Sequence, residues 1–234
     1  MIRSLAAAAK WLDRVGIAAL IPGPEVVVPS LWEAVAGTRE VTWATRRDDG
    51  TQEFTPEMAR CWAWKDELPA RGLALVGKHF GTRAALVAPR LVSQVVAAAA
   101  DRRAALTAFD RHVEGVVREH GPCTVPQLRG LCGAEKKHVD RLQRALVLTN
   151  AELVAQRQGW DAIAVDLVGR LWPLEPVGDP DGALAREVLA SAGELSAADL
   201  GGALGWRVKR AREALERIDV RTRREDDVTL YSVV

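Results

Sequence analysis

Residues 121–148 read GPCTVPQLRGLCGAEKKHVDRLQRALVL, and residues 193–220 read GELSAADLGGALGWRVKRAREALERIDV. The two stretches align at a spacing of 72 positions, with the matched pairs Thr124/Ser196, Gln127/Asp199, Leu128/Leu200, Gly133/Gly205, Lys137/Lys209 and Leu146/Ile218. In each copy a Ser or Thr cap opens a short helix, a glycine ends it, and a basic helix and strand-like sequence follow. This order predicts a winged helix-turn-helix in each copy, a motif that binds duplex DNA.

The repeat sets the predicted architecture of the whole chain. We expect an α+β fold that is mostly helical, with tandem winged helix-turn-helix domains at residues 101–172 and 181–234. Three prolines and a glycine mark residues 173–180 as the linker between them. Residues 1–100 are predicted to form an N-terminal mixed α/β domain, which could itself be winged-helix-like.

Local signals place the boundaries of several elements. The expected features are a capping box at Ser30 and Glu33, a polar loop at 46–52, a helix start at Thr55-Pro56, a hairpin from 73–76 and 83–87, a helix from Arg103 to Gly121, and wings near 157–159 and 225–227. Val26 to Val28 could form a short strand.

Composition excludes several classes of protein. The net charge is only +1, so any surface for a polyanion must be local. The three cysteines lack a CxxC spacing, and no GxGxxG, P-loop, HExxH or GxSxG sequence occurs, so we expect no disulfide framework, metal or cofactor. The start of the chain does not match a signal peptide, and residues 84–100 contain Pro89 and Arg90, so we expect a cytoplasmic protein without a membrane span.

The basic helices of the two copies are the predicted DNA-binding elements. Residues 207–224 hold eight basic residues against three acidic ones. Lysine and arginine there would neutralise phosphates of double-stranded DNA. The predicted DNA-binding side chains are Lys136, Lys137, His138, Arg141 and Arg144 in the first copy and Arg207, Lys209 and Arg210 in the second. The alternative is that they form the solvated faces of packed helices, and the acidic residues 225–227 would repel phosphate.

The segment Trp62-Ala63-Trp64-Lys65-Asp66-Glu67-Leu68-Pro69 has the highest density of chemically active side chains. Trp62 and Trp64 could fill the gap left by an extruded nucleotide, with Lys65 beside them. The carboxylate of Asp66 or Glu67 could position water for attack at a sugar carbon. The alternative is a helix end whose tryptophans pack in the core and whose charges are solvated.

This layout resembles the AlkZ/YcaQ DNA glycosylases, tandem winged-helix proteins that excise alkylated and crosslinked bases. Residues 64–69 resemble that family's Trp-x-His-Glu…Leu-Pro segment, with Glu67 at the position of its Glu. Residues 16–22 fall where the family has a catalytic Gln-x-Gln or Gln-x-Asp strand. At that placement Ala19 and Ile21 replace both polar side chains, which implies a divergent, short member without the usual active site.

The sequence therefore predicts a winged-helix protein that binds double-stranded DNA, intact or damaged, and lacks the catalytic pair of the family that it resembles. One alternative is a glycosylase that excises alkylated bases through Asp66 or Glu67. Another is a transcriptional regulator or a protein-interaction scaffold. The sequence does not decide whether the protein is an enzyme, or its oligomeric state.

Overall fold

The computed structural model describes residues 1–23, 27–48, 50–80, 83–155 and 161–234. About half of the residues are helical, and the strands form small antiparallel sheets, so the fold is α+β. The chain divides into three consecutive units by the order of its elements. The predicted turn near residues 157–159 and Val26 lie outside the described part of the chain. Val27 and Val28, which were predicted to continue a short strand from Val26, are described and do not belong to a strand.

The first unit contains three helices, a small sheet and an inserted hairpin. Its elements are α1 (Leu5–Val15), β1 (Ile17–Ala19), α2 (Leu31–Ala36), β2 (Ala44–Arg46), β3 (Gln52–Phe54), α3 (Pro56–Ala70), β4 (Leu75–Gly77) and β5 (Ala85–Val87). The sheet has the order β1–β5–β4, and β2 pairs separately with β3. The segment predicted as a polar loop at 46–52 is therefore the turn of a hairpin. A 3-10 turn (Pro89–Leu91), α4 (Val92–Ala98) and α5 (Ala100–Ala104) lead to the next unit.

The second unit repeats the same order of elements. It contains α6 (Ala108–His120), β6 (Cys123–Thr124), α7 (Val125–Cys132), α8 (Lys136–Arg144), β7 (Leu148–Val154), β8 (Ala162–Leu167) and α9 (Val168–Leu171). The helix predicted from Arg103 begins later, at Ala108, because Thr107 and Asp110 form a capping box that starts a new helix there.

The third unit follows with α10 (Pro180–Ala192), β9 (Glu194–Ser196), α11 (Ala197–Leu204), α12 (Val208–Glu216), β10 (Val220–Glu225) and β11 (Val228–Val233). Its sheet has the order β9–β11–β10, and that of the second unit is β6–β8–β7. In all three units the last strand therefore lies in the middle of the sheet. This shared topology extends the pattern of the sequence repeat to the first unit.

The predicted caps account for the shared starts of the short helices. Ser30, Thr124 and Ser196 each accept a hydrogen bond from the backbone N–H three residues later, and the side chain at that later position accepts from the cap in return. Gly133 and Gly205 end α7 and α11 in the left-handed conformation. At Gly205 a Cβ atom would also lie 2.9 Å from the Phe80 carbonyl oxygen, so the close approach of the first unit requires glycine.

The loop between β4 and β5 joins the three units. His79 is fully buried, and its Nδ1 lies 3.0 Å from the Gln143 carbonyl oxygen on α8. The Lys78 N–H donates to the Gln143 side chain at 3.0 Å. Burial lowers the pKa of His79 from 6.5 to about 4, and Nε2 has no hydrogen-bond partner in the described structure. A neutral imidazole is therefore part of the packing between units.

Candidate nucleic-acid site

A cavity of about 610 Å³ lies between α3 of the first unit and the β7 and β8 strands of the second. Its walls are predominantly apolar, with a few polar side chains at hydrogen-bonding positions, the usual composition of a small-molecule site. The lining residues are Phe54, Ala59, Trp62, Ala63, Lys65, Asp66, Leu153, Asp161 and Ile163. Trp62, Lys65 and Asp66, which the sequence analysis selected, thus lie in one pocket.

Two aromatic rings, Phe54 and Trp62, line this pocket, and a third ring, Trp43, packs on Trp62. Trp62 packs on Trp43 with a centroid distance of 6.2 Å and on Phe54 with a distance of 6.0 Å. Trp43 and Phe54 belong to or flank the inserted hairpin, and 48% of Trp43 is exposed. An exposed indole beside a pocket supplies a flat apolar surface on which a planar ligand can stack.

Lys65 and Asp66 form an ion pair in the wall of the pocket. Lys65 Nζ lies 2.6 Å from both carboxylate oxygens of Asp66, and only 11% of each side chain is exposed. The same ammonium lies 4.8 Å from the centre of the Trp62 ring. The pair therefore sits in a partly dehydrated, aromatic environment in which charge interactions are stronger than in bulk water.

The other two selected residues of α3 lie away from the pocket. Trp64 is 7% exposed and belongs to the core of the first unit. Glu67 is half-exposed and accepts a hydrogen bond from Arg71 at 3.2 Å. Successive helix positions point about 100° apart, so Trp62, Lys65 and Asp66 share a face that Trp64 and Glu67 do not. The structure brings Asp66, and not Glu67, to the cavity.

The cations at the start of α8 are exposed and paired with nearby carboxylates. Lys136 lies 2.7 Å from Asp140, which also pairs with Lys78 at 3.1 Å. Lys137 pairs with Glu135 at 2.8 Å and is 65% exposed in its side chain. The His138 ring packs edge-on against Phe109 at a centroid distance of 4.8 Å, and its Nδ1 accepts a hydrogen bond from the Glu135 N–H.

Arg141 and Arg144 follow Lys137 on one side of α8. Arg141 donates at 2.8 Å to Asp110, whose side chain is fully buried. Burial raises the pKa of Asp110, but hydrogen bonds from Arg141 and Thr107 outweigh it and hold the pKa below its usual value. Arg144 is half-buried and makes no ion pair with any described residue. Arg141 thus has a structural role, although its side chain is also 41% exposed.

The cations of α12 divide into an open set and a packed one. Arg207 and Arg212 are exposed without an ion pair to any described residue, and Lys209 is 90% exposed at 3.9 Å from Glu213. Arg210 instead donates to Asp181 at 2.7 Å and stacks on Trp206 at 4.6 Å. We call Arg207, Lys209 and Arg212 the open cations. The sequence alone does not distinguish Arg210 from Arg207 and Lys209, because its partner Asp181 lies on a different helix, α10.

The hairpin of β10 and β11 carries both signs of charge. Arg223 donates to Glu194 at 2.6 Å and to Glu225 at 2.7 Å. Arg224 lies 3.5 Å from Asp227. Each of these acidic side chains therefore has a neighbouring arginine, which reduces the repulsion of phosphate that the sequence alone predicted.

The two apolar residues assigned to the family's catalytic positions are part of the packing of the first unit. Ala19 is 6% exposed and pairs with Ala85 across β1 and β5. Ile21 is partly buried against the core that contains Trp64. Neither lines the pocket.

The described residues offer no metal site, and Cys61 offers no reactive thiolate. The His, Cys, Asp and Glu residues among them form no cluster suited to a metal ion. Within the same residues, no helix is long and apolar enough to cross a membrane. Cys61 is buried, which raises the pKa of its thiol to about 12, so a reactive thiolate is not expected there.

Several residues that line the pocket or pack beside it are not evident from the sequence. Trp43 and Phe54 flank a segment interpreted as a loop, although their positions on either side of a short polar turn are typical of a hairpin. Leu153 and Ile163 come from the second unit, about ninety positions away along the chain, so no local pattern connects them with α3.

A family model described as AlkZ related matches residues 2–178. The match covers the first two units and ends just before α10. Comparison with the curated proteins and with the solved structures gives no significant match.

Proposed function

The chain belongs to the AlkZ-related family, and we propose that it binds duplex DNA and takes up a displaced nucleotide in the pocket between α3 and the second unit. The family relates the chain to DNA glycosylases of DNA repair. The observation that carries the proposal is that Trp62, Lys65 and Asp66 line one apolar cavity. A displaced base needs stacking surfaces and a few polar contacts.

The three units support the DNA-binding part of this proposal by their topology. Each has a helix, a short strand, two further helices and an antiparallel pair of strands, with the last strand in the middle. We interpret all three as winged helices, which extends the two predicted from the sequence. In such units the third helix usually contacts the major groove.

The open cations of α12 make this helix the best candidate for phosphate contacts. Arg207, Lys209 and Arg212 project from the start and one side of the helix. Lys136, Lys137 and Arg144 on α8 are weaker candidates, because the two lysines already have carboxylate partners. Arg210 and Arg141 act mainly within the protein.

The experiment is fluorescence anisotropy with two duplexes, one fully paired and one with a single unpaired nucleotide. We expect both to bind at low salt, with affinity falling about tenfold or more between about 50 and 200 mM salt. The duplex with the unpaired nucleotide should bind more tightly. Absence of binding to both at low salt would contradict the proposal and favour a protein-interaction module.

A second candidate function is base excision with Asp66 as the catalytic carboxylate. It is favoured by the position of Asp66 in the cavity wall with 11% of its side chain exposed. The test is release of a methylated base from duplex DNA by wild type, Asp66→Asn and Glu67→Gln. If excision occurs, Asp66→Asn should lower it by about a hundredfold or more, and Glu67→Gln should not, since Glu67 points away. Equal activity in all three would exclude Asp66.

A further inference from the structure

We propose that Lys65 is a nucleophile that forms an imine with the aldehyde of an abasic deoxyribose and cleaves the DNA strand beside it. This inference rests on the proposed function, because the abasic sugar must be delivered to the pocket by bound DNA. It adds a covalent step that binding of a base does not require. The abasic site is the product of any base-excision reaction, so this step would consume that product.

The position of Lys65 suits a nucleophilic amine. The residue is 9% exposed, although lysine is rarely buried without a reason, and its Nζ lies in the wall of a cavity large enough for a sugar. Lysine becomes a useful nucleophile toward carbonyl groups in an apolar pocket. Trp62, beneath the ammonium at 4.8 Å, and Phe54 supply that apolar surface.

Asp66 is placed to move the protons that this chemistry requires. Its two oxygens both lie 2.6 Å from Nζ, within reach of direct proton transfer. The pair is formed by adjacent residues of one helix, and both also line the cavity. An ion pair that served stability alone could be placed on the surface without the cost of dehydrating both charges.

The reaction can be written with its atoms and protons balanced. Asp66 takes a proton from the Lys65 ammonium, and the neutral Nζ adds to C1′ of the open-chain sugar, whose carbonyl oxygen takes a proton from Nζ and becomes a hydroxyl. Asp66 returns its proton to this hydroxyl, which leaves as water and gives the iminium. Asp66, a carboxylate again, removes a proton from C2′ and passes it to the 3′ phosphate, which leaves as the C3′–O bond breaks. Water then hydrolyses the iminium, which releases an unsaturated aldehyde and regenerates Lys65.

The cavity also suits a nucleotide that has lost its base. An abasic nucleotide has lost its stacking partner, so its sugar can leave the duplex at a lower cost than that of an intact nucleotide. Trp62, which lines the cavity, and the exposed Trp43 packed on it can cover the exposed neighbouring base. The cavity thus suits the bare sugar, and the two indoles suit the unpaired base next to it.

The test is reduction with sodium borohydride during incubation with a duplex that contains an abasic site. Reduction converts the imine into a stable amine, and a protein–DNA adduct should appear. Digestion and mass spectrometry should place the adduct on Lys65 and not on Lys10, Lys78, Lys136, Lys137, Lys209 or the terminal amine. Adduct at any of those sites instead, or no adduct, would overturn the proposal.

Variants separate the imine from binding. Lys65→Arg keeps the positive charge beside Asp66 but cannot form an imine, so the adduct and strand cleavage should be lost. Asp66→Asn should slow both by about a hundredfold or more. Lys10→Met, which removes an exposed lysine of α1, is the matched control and should behave as wild type.

A duplex with tetrahydrofuran in place of the abasic sugar distinguishes imine formation from DNA binding, since tetrahydrofuran has no aldehyde. If wild type binds this duplex but forms no adduct with the true abasic site, the imine is wrong and DNA binding stands. If it binds neither duplex, the proposed function fails as well. Because the adduct is mapped on wild type, a Lys65→Arg variant that does not fold leaves the test decisive.

Discussion

Helices α3 and α12 are the third helices of the first and third units, but their outer faces have opposite environments. The face of α3 with Trp62, Lys65 and Asp66 lies opposite β7 and β8 of the second unit, and a cavity separates them. The corresponding side of α12 carries the open cations in solvent. One order of elements therefore provides a pocket wall in one unit and a charged surface in another.

The difference follows from what packs on each helix. The second unit is held over α3 by hydrogen bonds such as that from Thr149 Oγ1 to the Val76 carbonyl at 2.9 Å, and by the buried His79. The buried side of α12 packs on α10, and the ion pair of Arg210 and Asp181 joins the two helices. Docking of neighbouring units, and not the local sequence of either helix, decides which side chains line a cavity and which face solvent.

Protonation of His79 should have the largest effect on this arrangement. Its pKa in the folded protein is about 4, below the ordinary 6.5, so the unfolded chain binds the proton first as the pH falls. Stability is therefore complete above pH 6.5 and is lost progressively down to about pH 4, by about 3 kcal/mol.

Urea denaturation at several pH values between 7 and 4 measures this loss. His79→Gln should flatten that part of the profile, and His112→Gln, at an exposed position, should leave it unchanged. A wild-type profile that is flat from pH 6.5 to 4 would show that His79 does not hold the units together. The stability due to Asp110 is lost only at lower pH, because its pKa is held below the usual value.

The next effect separates the packed cation of α12 from an open one. Arg210→Ala removes the charged partner of Asp181 and should lower the free energy of unfolding by about 2 kcal/mol. Lys209→Ala, one position away and 90% exposed, should change it by no more than about 0.5 kcal/mol. Thermal or urea unfolding of the two variants compares them directly. Equal destabilisation by the two substitutions would mean that the Arg210 side of α12 does not pack on α10.

The smallest effect concerns the pocket face of α3. Trp62→Ala should weaken binding of the duplex with an unpaired nucleotide by about 1 kcal/mol, the low end for loss of one stacking contact, because Trp43 and Phe54 remain. Affinity for the fully paired duplex should not change, and it serves as the internal control. If both affinities fall equally, Trp62 supports the fold and not the ligand.

The sequence was most informative about local structure. The caps at Ser30, Thr124 and Ser196 follow from side chains three positions apart, so their hydrogen bonds could be predicted. The first unit was harder to recognise as a copy of the others, because the β2–β3 hairpin separates α2 from α3 and hides the repeat. A repeat that is detected by a constant spacing of matched residues is missed when one copy contains an insertion.

The candidate site was only half predictable. Lys65 and Asp66 attract notice because charged side chains beside tryptophans are unusual, whereas Leu153 and Ile163 complete the cavity from another unit. Asp66 and Glu67 are equally plausible from the sequence, and only the orientation of α3 distinguishes the two side chains. Local sequence patterns do not show how distant units dock. For this reason neither the contribution of Leu153 and Ile163 nor the choice between Asp66 and Glu67 could be predicted.

The central claim, that this family member binds duplex DNA through the open face of α12, is tested most directly by the salt dependence of that binding. Wild type is compared by anisotropy with an Arg207→Ala, Lys209→Ala, Arg212→Ala triple variant and with a Lys10→Ala, Arg14→Ala control on the exposed side of α1. Each lost phosphate contact should make the slope of log affinity against log salt less steep by about 0.9, so the triple variant should differ by up to about 3 while the control keeps the wild-type slope. Equal slopes for all three proteins would contradict the account.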